Sequence, residues 1–198
     1  MLVFLLGVKA VGKSKLTAEL NNHLDGKIHE ISYGDIMLEI GKEKGLITDR
    51  EQIAKLQSKQ QNEIRQAATE RIREMADKED FVFLNTHGFI YTIPHHTYLP
   101  GSPDSVSDLL KPNMILLVEA SPAAIITRRQ MDLEKLGRKR EIGTVEEVAA
   151  AIEFERMAAV HISMRYACDL KQFDNTGSID DNKGEIAKLS ELFTGMVK

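Results

Sequence analysis

The sequence predicts an α/β protein in three layers, with helices packed on both faces of a parallel sheet. Three observations carry that reading. Short runs of uninterrupted apolar residues recur at Leu2–Leu6, Phe81–Leu84 and Met114–Val118, as strands covered on both faces require. Segments with apolar residues at helical spacing separate them. The first apolar run also passes straight into GVKAVGKS, Gly7–Ser14, a glycine-rich turn set between a buried strand and a helix.

The elements follow in order. Leu16, Leu20 and Leu24 mark one face of a first helix, from near Lys13 to the stop at Asp25-Gly26. Lys27–Ser32 reads as a short strand, Tyr33-Gly34-Asp35 as a turn, and Ile36–Lys44 as a second helix. From Arg50 to Lys78, Ile53, Leu56, Ile64, Ala68, Ile72 and Met75 fall mostly on one face, which predicts one long helix. Phe81–Leu84 is the next strand. Asn85–Pro103, rich in His, Tyr, Pro and Gly, is too irregular for an element and too long for a plain connector, so it is expected to carry function. Met114–Val118 is a strand, and Pro122–Arg129 a helix with a basic end. A polar segment, Gln130–Thr144, precedes a helix over Val145–Tyr166 and a last strand at Leu170–Phe173. A turn-rich loop over Asp174–Gly184 leads to a closing amphipathic helix, Glu185–Val197.

The glycine loop has a definite chemistry. Gly7 and Gly12 permit backbone torsions and close approaches that a Cβ would forbid, so successive N–H groups can turn inward on phosphate oxygens. The helix beginning at Lys13 adds the positive end of its dipole. Lys13 is placed to reach the β- and γ-phosphates, and the Ser14 hydroxyl to be one ligand of a bridging magnesium ion. The phosphate site is therefore expected over Gly7, Val8, Lys9, Ala10, Val11, Gly12, Lys13, Ser14 and Lys15, with a nucleoside triphosphate as ligand.

Composition narrows the class. A chain of 198 residues suits one domain with at most a mobile insertion or two. The net charge is −4 with both signs interspersed, so no basic face advertises a nucleic acid. Cys168, the single cysteine, has no partner for an intramolecular disulfide. The first apolar run is too short for a signal segment or a membrane span. A soluble cytoplasmic protein is expected.

Arg128, Arg129, Arg138 and Arg140 bracket the polar segment, and Arg156 lies in the helix that follows. Phosphoryl transfer needs two substrates held in line, water excluded and the charge of the equatorial oxygens neutralised. Guanidinium forks on a segment that closes would do this. The arginine cluster is read as a phosphate-facing lid.

With these motifs in place, the chain resembles the archaeal type of adenylate kinase, within the nucleoside monophosphate kinases. The resemblance rests on GVKAVGKS, on ISYGDIMLEIGKEKGLITDREQIAKL from Ile31 to Leu56, and on NTHGF from Asn85. YLPG at Tyr98 and ILLVEASPAAIITRR from Ile115 to Arg129 extend it, so that it covers nearly the whole chain. It implies a P-loop fold with a five-stranded parallel sheet of order 2-3-1-4-5, an AMP-binding helical part over 31–78 and a short lid over 129–144. It also implies transfer from MgATP to AMP giving two ADP, and a homotrimer. Carried onto this sequence, Lys13 stabilises the migrating group, Arg138 and Arg140 are lid arginines, and Arg128 stands at the hinge. Asn175 presents backbone to adenine. Ser32, Gly34 and Asp35 open the AMP part, which Arg50, His87 and Arg156 complete. Gly41, Gly45, Gly137 and Gly143 flank the parts expected to move.

Two departures from the family pattern matter. The arginine that bacterial relatives place after the aspartate is Leu38 here, which leaves Arg50 as its substitute. The aspartate that orders magnesium's water shell is Asn85, an amide without charge, with Asp35 or Glu119 as candidate replacements. His95 and His96 are read as solvated loop residues. Two alternatives stay open: a kinase for another nucleoside monophosphate or a small alcohol, and a nucleotide-binding protein with impaired catalysis.

Overall fold

The computed structural model describes residues 1–92, 97–136, 142–177 and 180–196, the side chains of 51, 54, 92 and 136 apart. Five parallel strands form the central sheet: β1 (Leu2–Leu6), β2 (Ile28–Ser32), β3 (Phe81–Asn85), β6 (Met114–Glu119) and β7 (Asp169–Asp174). Their order is β2-β3-β1-β6-β7, which is 2-3-1-4-5 when the sheet strands alone are counted. The two labels between β3 and β6 belong to an antiparallel hairpin outside the sheet, β4 (Phe89–Thr92) and β5 (Thr97–Pro100).

Alternation along the strands divides the core between two layers of helices. Val3, Leu5, Phe81, Phe83, Met114 and Leu116 pack toward α1 (Lys13–His23) and α7 (Lys183–Met196), with Leu16, Leu20, Leu189 and Phe193 opposite them. Phe4, Leu6, Val82, Leu84 and Ile115 face the other way. They meet α2 (Tyr33–Glu43), α3 (Ser58–Ala76), α4 (Asp104–Leu110) and the C-terminal part of α6 (Val145–Tyr166). The three inner strands are almost wholly buried, whereas β2 and β7 are edge strands with several exposed side chains.

Four local expectations are corrected. The stretch from Arg50 is not one helix: a 3-10 turn over Arg50–Lys55, capped by the Asp49 carboxylate, ends at Leu56, and α3 begins anew at Ser58. A capping box between Gln57 and Gln60 restarts it, and apolar periodicity alone runs across such a break. Tyr33-Gly34-Asp35 is the first turn of α2 rather than a separate turn, because the Ser32 hydroxyl caps it at the Asp35 N–H. The irregular loop after β3 holds the hairpin, fixed by aromatic packing: Tyr98 stacks on Phe154 at 3.8 Å between ring centres, and Phe89 meets the same ring edge-on at 5.7 Å. Finally α5 (Pro122–Leu136) continues a full two turns past Arg129, since the residues that follow are good helix formers without Gly or Pro.

α6 starts where Thr144 and Glu147 form a reciprocal capping box. No helix among the described residues is long and apolar enough to cross a membrane. Gly137, His95 and His96 lie outside the described residues.

Candidate active site

The loop between β1 and α1 is tethered at both ends. Val8 and Val11 are buried in the core, Ala10 takes a left-handed φ of 70°, and the Val11 N–H donates to the Val8 carbonyl at 3.4 Å. Gly12 has a φ of 101°, and a Cβ there would strike the Asn175 side chain. Inside the loop, the buried Lys13 ammonium donates to the carbonyls of Gly7 at 2.5 Å and Val8 at 3.4 Å. Ser14 and Lys15 stand exposed in the first turn of α1, and Lys9 is exposed at the loop's tip.

Ser14 is joined by one residue from β2 and one from the end of β3. Its hydroxyl donates to Glu30 Oε1 at 3.2 Å, and Asn85 Nδ2 donates to the same carboxylate oxygen at 3.0 Å. Asn85 Nδ2 also lies 3.3 Å from Ser14 Oγ. A hydroxyl and a carboxylate are hard oxygen donors of the kind magnesium takes, directly or through water. Among the described residues no three His, Cys, Asp or Glu side chains gather as a metal site, so a cation here would lean on few protein groups.

Glu30 was not singled out from sequence, and it stands where the two candidate replacements do not. Asp35 accepts from Arg50 Nη1 at 3.0 Å, and Glu119, buried, accepts from Arg156 Nε at 3.1 Å and from Gln172. The Arg50–Asp35 pair sits over the start of α2. Gly34 makes room for it, because any Cβ at that position would collide with the Arg50 guanidinium. Ser32, Gly34, Asp35 and Arg50 thus form one polar cluster at the carboxyl end of β2.

His87 follows β3 and is held by a residue that sequence reasoning missed. Glu155, 1% exposed on α6, accepts from the Gly88 N–H at 2.7 Å and faces His87 Nδ1 at 3.2 Å. Burial, then the positive charge of Lys13, holds the imidazole below its ordinary range, against the opposite pull of Glu155. Thr86, Ser102 and the His87 carbonyl complete the network that fastens this loop. No spacing signal marks Glu155, which is distinguished only by being a carboxylate on the buried face of a helix.

On the other side of the loop, Arg128 is a clasp. Its guanidinium donates to the carbonyls of Val11 at 3.1 Å, Asn175 at 2.6 Å and Gly177 at 2.8 Å. Desolvation draws its pKa below the ordinary arginine value. Asn175 is buried; its side chain donates to the Val11 carbonyl at 2.8 Å and its N–H to the Glu119 backbone carbonyl at 2.7 Å. Arg129 bridges from the Ile142 carbonyl at 2.9 Å to the Lys9 carbonyl at 3.4 Å. Arg156 is carried by α6 to the β6 side, where Glu119 and Glu153 hold it beside a cavity of about 420 Å³. It is not brought to the cluster around Asp35. Arg138 and Arg140 lie outside the described residues.

A phosphate loop with its lysine, opening at the carboxyl edge of a parallel sheet of this order, beside a second polar cluster on the adjoining strand ends, defines a P-loop kinase. Solved structures agree on the fold. The chain superimposes on the shikimate kinase of Aquifex aeolicus with a TM-score of 0.55 at 15% identity, covering 99% of each chain. The shikimate kinase of Bacteroides thetaiotaomicron gives 0.57 at 16% identity, with 98% of each chain covered. Residues 6–149 match the family model described as an AAA domain. Among curated relatives, the adenylate kinase of Methanopyrus kandleri is 37% identical over 169 residues, covering 85% of this chain and 86% of that one. The adenylate kinase of Pyrococcus furiosus is 32% identical over 192 residues, covering 96% and 95%. The chain belongs to the adenylate kinase family.

Proposed function

We propose that the protein catalyses the reversible transfer of the terminal phosphoryl group of ATP to AMP, giving two ADP. The observation that carries this reading is the convergence of two sites on one sheet edge. The Lys13 loop opens at the end of β1, and the Ser32–Asp35–Arg50 cluster and His87 open at the ends of β2 and β3. A transferase needs donor and acceptor side by side; a nucleotide switch needs only the first.

In this scheme an oxygen of the AMP phosphate, already ionised at neutral pH, attacks the γ-phosphorus. The bond to the β,γ-bridging oxygen breaks and ADP departs, so no general base is required. The Gly7–Lys15 backbone orients the donor, and Lys13 neutralises charge on the migrating group. Arg50 and His87 position AMP with Ser32, Gly34 and Asp35, and Arg156 joins them once released from its carboxylates. Arg128 keeps the loop and the Asn175 segment in register, with adenine against that segment. The lid over 129–144 brings Arg138 and Arg140 to the phosphates and excludes water, while the part over 31–78 closes on AMP. Ser14 would hold Mg2+, which when bound neutralises phosphate charge and fixes its geometry. The same reading extends to one catalytic domain over 1–198, assembled as a cytoplasmic homotrimer, which light scattering tests.

The experiment is ADP formation from MgATP with AMP, CMP, UMP, GMP or no acceptor, with Lys13→Met as control. Turnover that requires AMP and vanishes in the control supports the assignment. Turnover with CMP or UMP in preference to AMP moves it to another nucleotide kinase, and ATP binding without acceptor-dependent turnover refutes an enzyme.

A further inference from the structure

Three elements bring side chains to one point at the sheet's carboxyl edge. Positions 28, 30 and 32 of β2 alternate onto the α1 face, as do 81, 83 and 85 of β3, and the register sets Ser32 beside Asn85. Glu30 therefore lies one pleat behind Asn85 and directly under the first turn of α1, where Ser14 projects. The hydrogen bonds among the three side chains, 3.0 to 3.3 Å, close a small triangle.

A serine hydroxyl brings no charge to a divalent cation, and an amide at position 85 brings none either. Asp35 is paired with Arg50, and Glu119 is buried among Arg156 and Gln172. The hydrogen-bond partners described for Glu30, by contrast, are both neutral. Glu30 is the only vertex of the triangle whose side chain is an acid.

We propose that Glu30 supplies the negative charge of the magnesium corner, from β2 instead of β3, and that Asn85 orients the Glu30 carboxylate. Glu30 is a positioning residue: it accepts hydrogen bonds from water in the cation's shell while Ser14 ligates. The amide at 85 and the carboxylate at 30 are one device, with charge and donor exchanged between adjacent strands. The proposal rests on the phosphotransferase reading above.

Its test uses Mn2+ as the probe, titrated against the full chain saturated with a non-hydrolysable ATP analogue, with free Mn2+ read by electron paramagnetic resonance. Four proteins are compared: the unmodified chain, Glu30→Gln, Asn85→Asp and the double variant. Glu30 is exposed, so its isosteric replacement leaves the fold in place. Glu30→Gln is expected to weaken Mn2+ binding about tenfold, with analogue binding in EDTA changed by less than about twofold. The double variant, which returns a carboxylate on β3, is expected to recover to within about threefold of the unmodified chain. Unchanged Mn2+ affinity in Glu30→Gln overturns the proposal. So does a parallel loss of metal-free nucleotide binding, which would make Glu30 a prop for the loop, or a double variant as weak as Glu30→Gln. Failure to make ADP from ATP and AMP refutes the enzyme reading instead, and leaves the Mn2+ series to judge Glu30.

Discussion

Arg50 Nη1 donates to Asp35 Oδ1 at 3.0 Å, across the space that a side chain at Gly34 would fill. Both side chains are more than half exposed, so the pair adds little to stability, on the order of 0–1 kcal/mol. Its use is to present a guanidinium to a phosphate.

Arg50→Ala is expected to raise the KM for AMP by about 10- to 100-fold, the equivalent of losing one charge-assisted contact, with little change in ATP affinity. Gly34→Ala should do the same by displacing the guanidinium. Initial-rate kinetics with each nucleotide varied separates these effects; an equal loss for both substrates would place Arg50 elsewhere.

Gly12→Ala combines two faults, a left-handed φ of 101° and a Cβ against the Asn175 side chain. A cost of about 1–3 kcal/mol in unfolding free energy is expected, together with loss of ATP binding. Urea unfolding and calorimetric titration with ATP measure the two.

Glu155 accepts from the Gly88 N–H and faces His87, both within a buried network. Glu155→Ala leaves that N–H without its acceptor and is expected to destabilise the protein by about 1–3 kcal/mol. The loop after β3 should become the first segment to open, visible as faster hydrogen exchange at Gly88.

His87 gives a pH dependence of definite sign. Its folded-state pKa is lowered, by burial first and Lys13 next, so below the ordinary imidazole value of about 6.5 the unfolded chain takes up a proton that the folded chain refuses. The contribution is fully present above that value and is lost as pH falls through it toward the folded-state value. Stability should therefore drop more steeply between about pH 7 and pH 5 in the unmodified chain than in His87→Gln, by at most about 1.4 kcal/mol per pH unit. Urea midpoints across that range, compared between the two proteins, check it.

How much of this was legible in the sequence depended on how each feature is encoded. β1, β3 and β6 are apolar on both faces and the phosphate loop is a contiguous motif, so both could be read directly. The edge strands β2 and β7 carry exposed side chains, yet short runs marked both to within a residue at each end; the hairpin is held by Phe154 from a distant helix, so local pattern hid it. The residues around Asp35 and Arg50 were found through family resemblance, and the structure shows the ion pair that joins them. Glu30 and Glu155 were out of reach, because their significance comes from strand register and helix packing rather than spacing. Arg128 was read as a lid-hinge residue. Its donors fasten Val11 to the Asn175 segment, a contact that depends on three carbonyls no sequence pattern can place.

The most direct test of the central claim is product stoichiometry: MgATP and AMP are mixed with the protein and all three adenine nucleotides are followed by chromatography until the reaction stops. Two ADP are expected for each AMP consumed, with approach to the same mixture starting from ADP alone and no reaction with Lys13→Met. ADP and inorganic phosphate formed at the same rate with and without AMP would contradict it, and would make the protein a nucleotide hydrolase rather than a phosphotransferase.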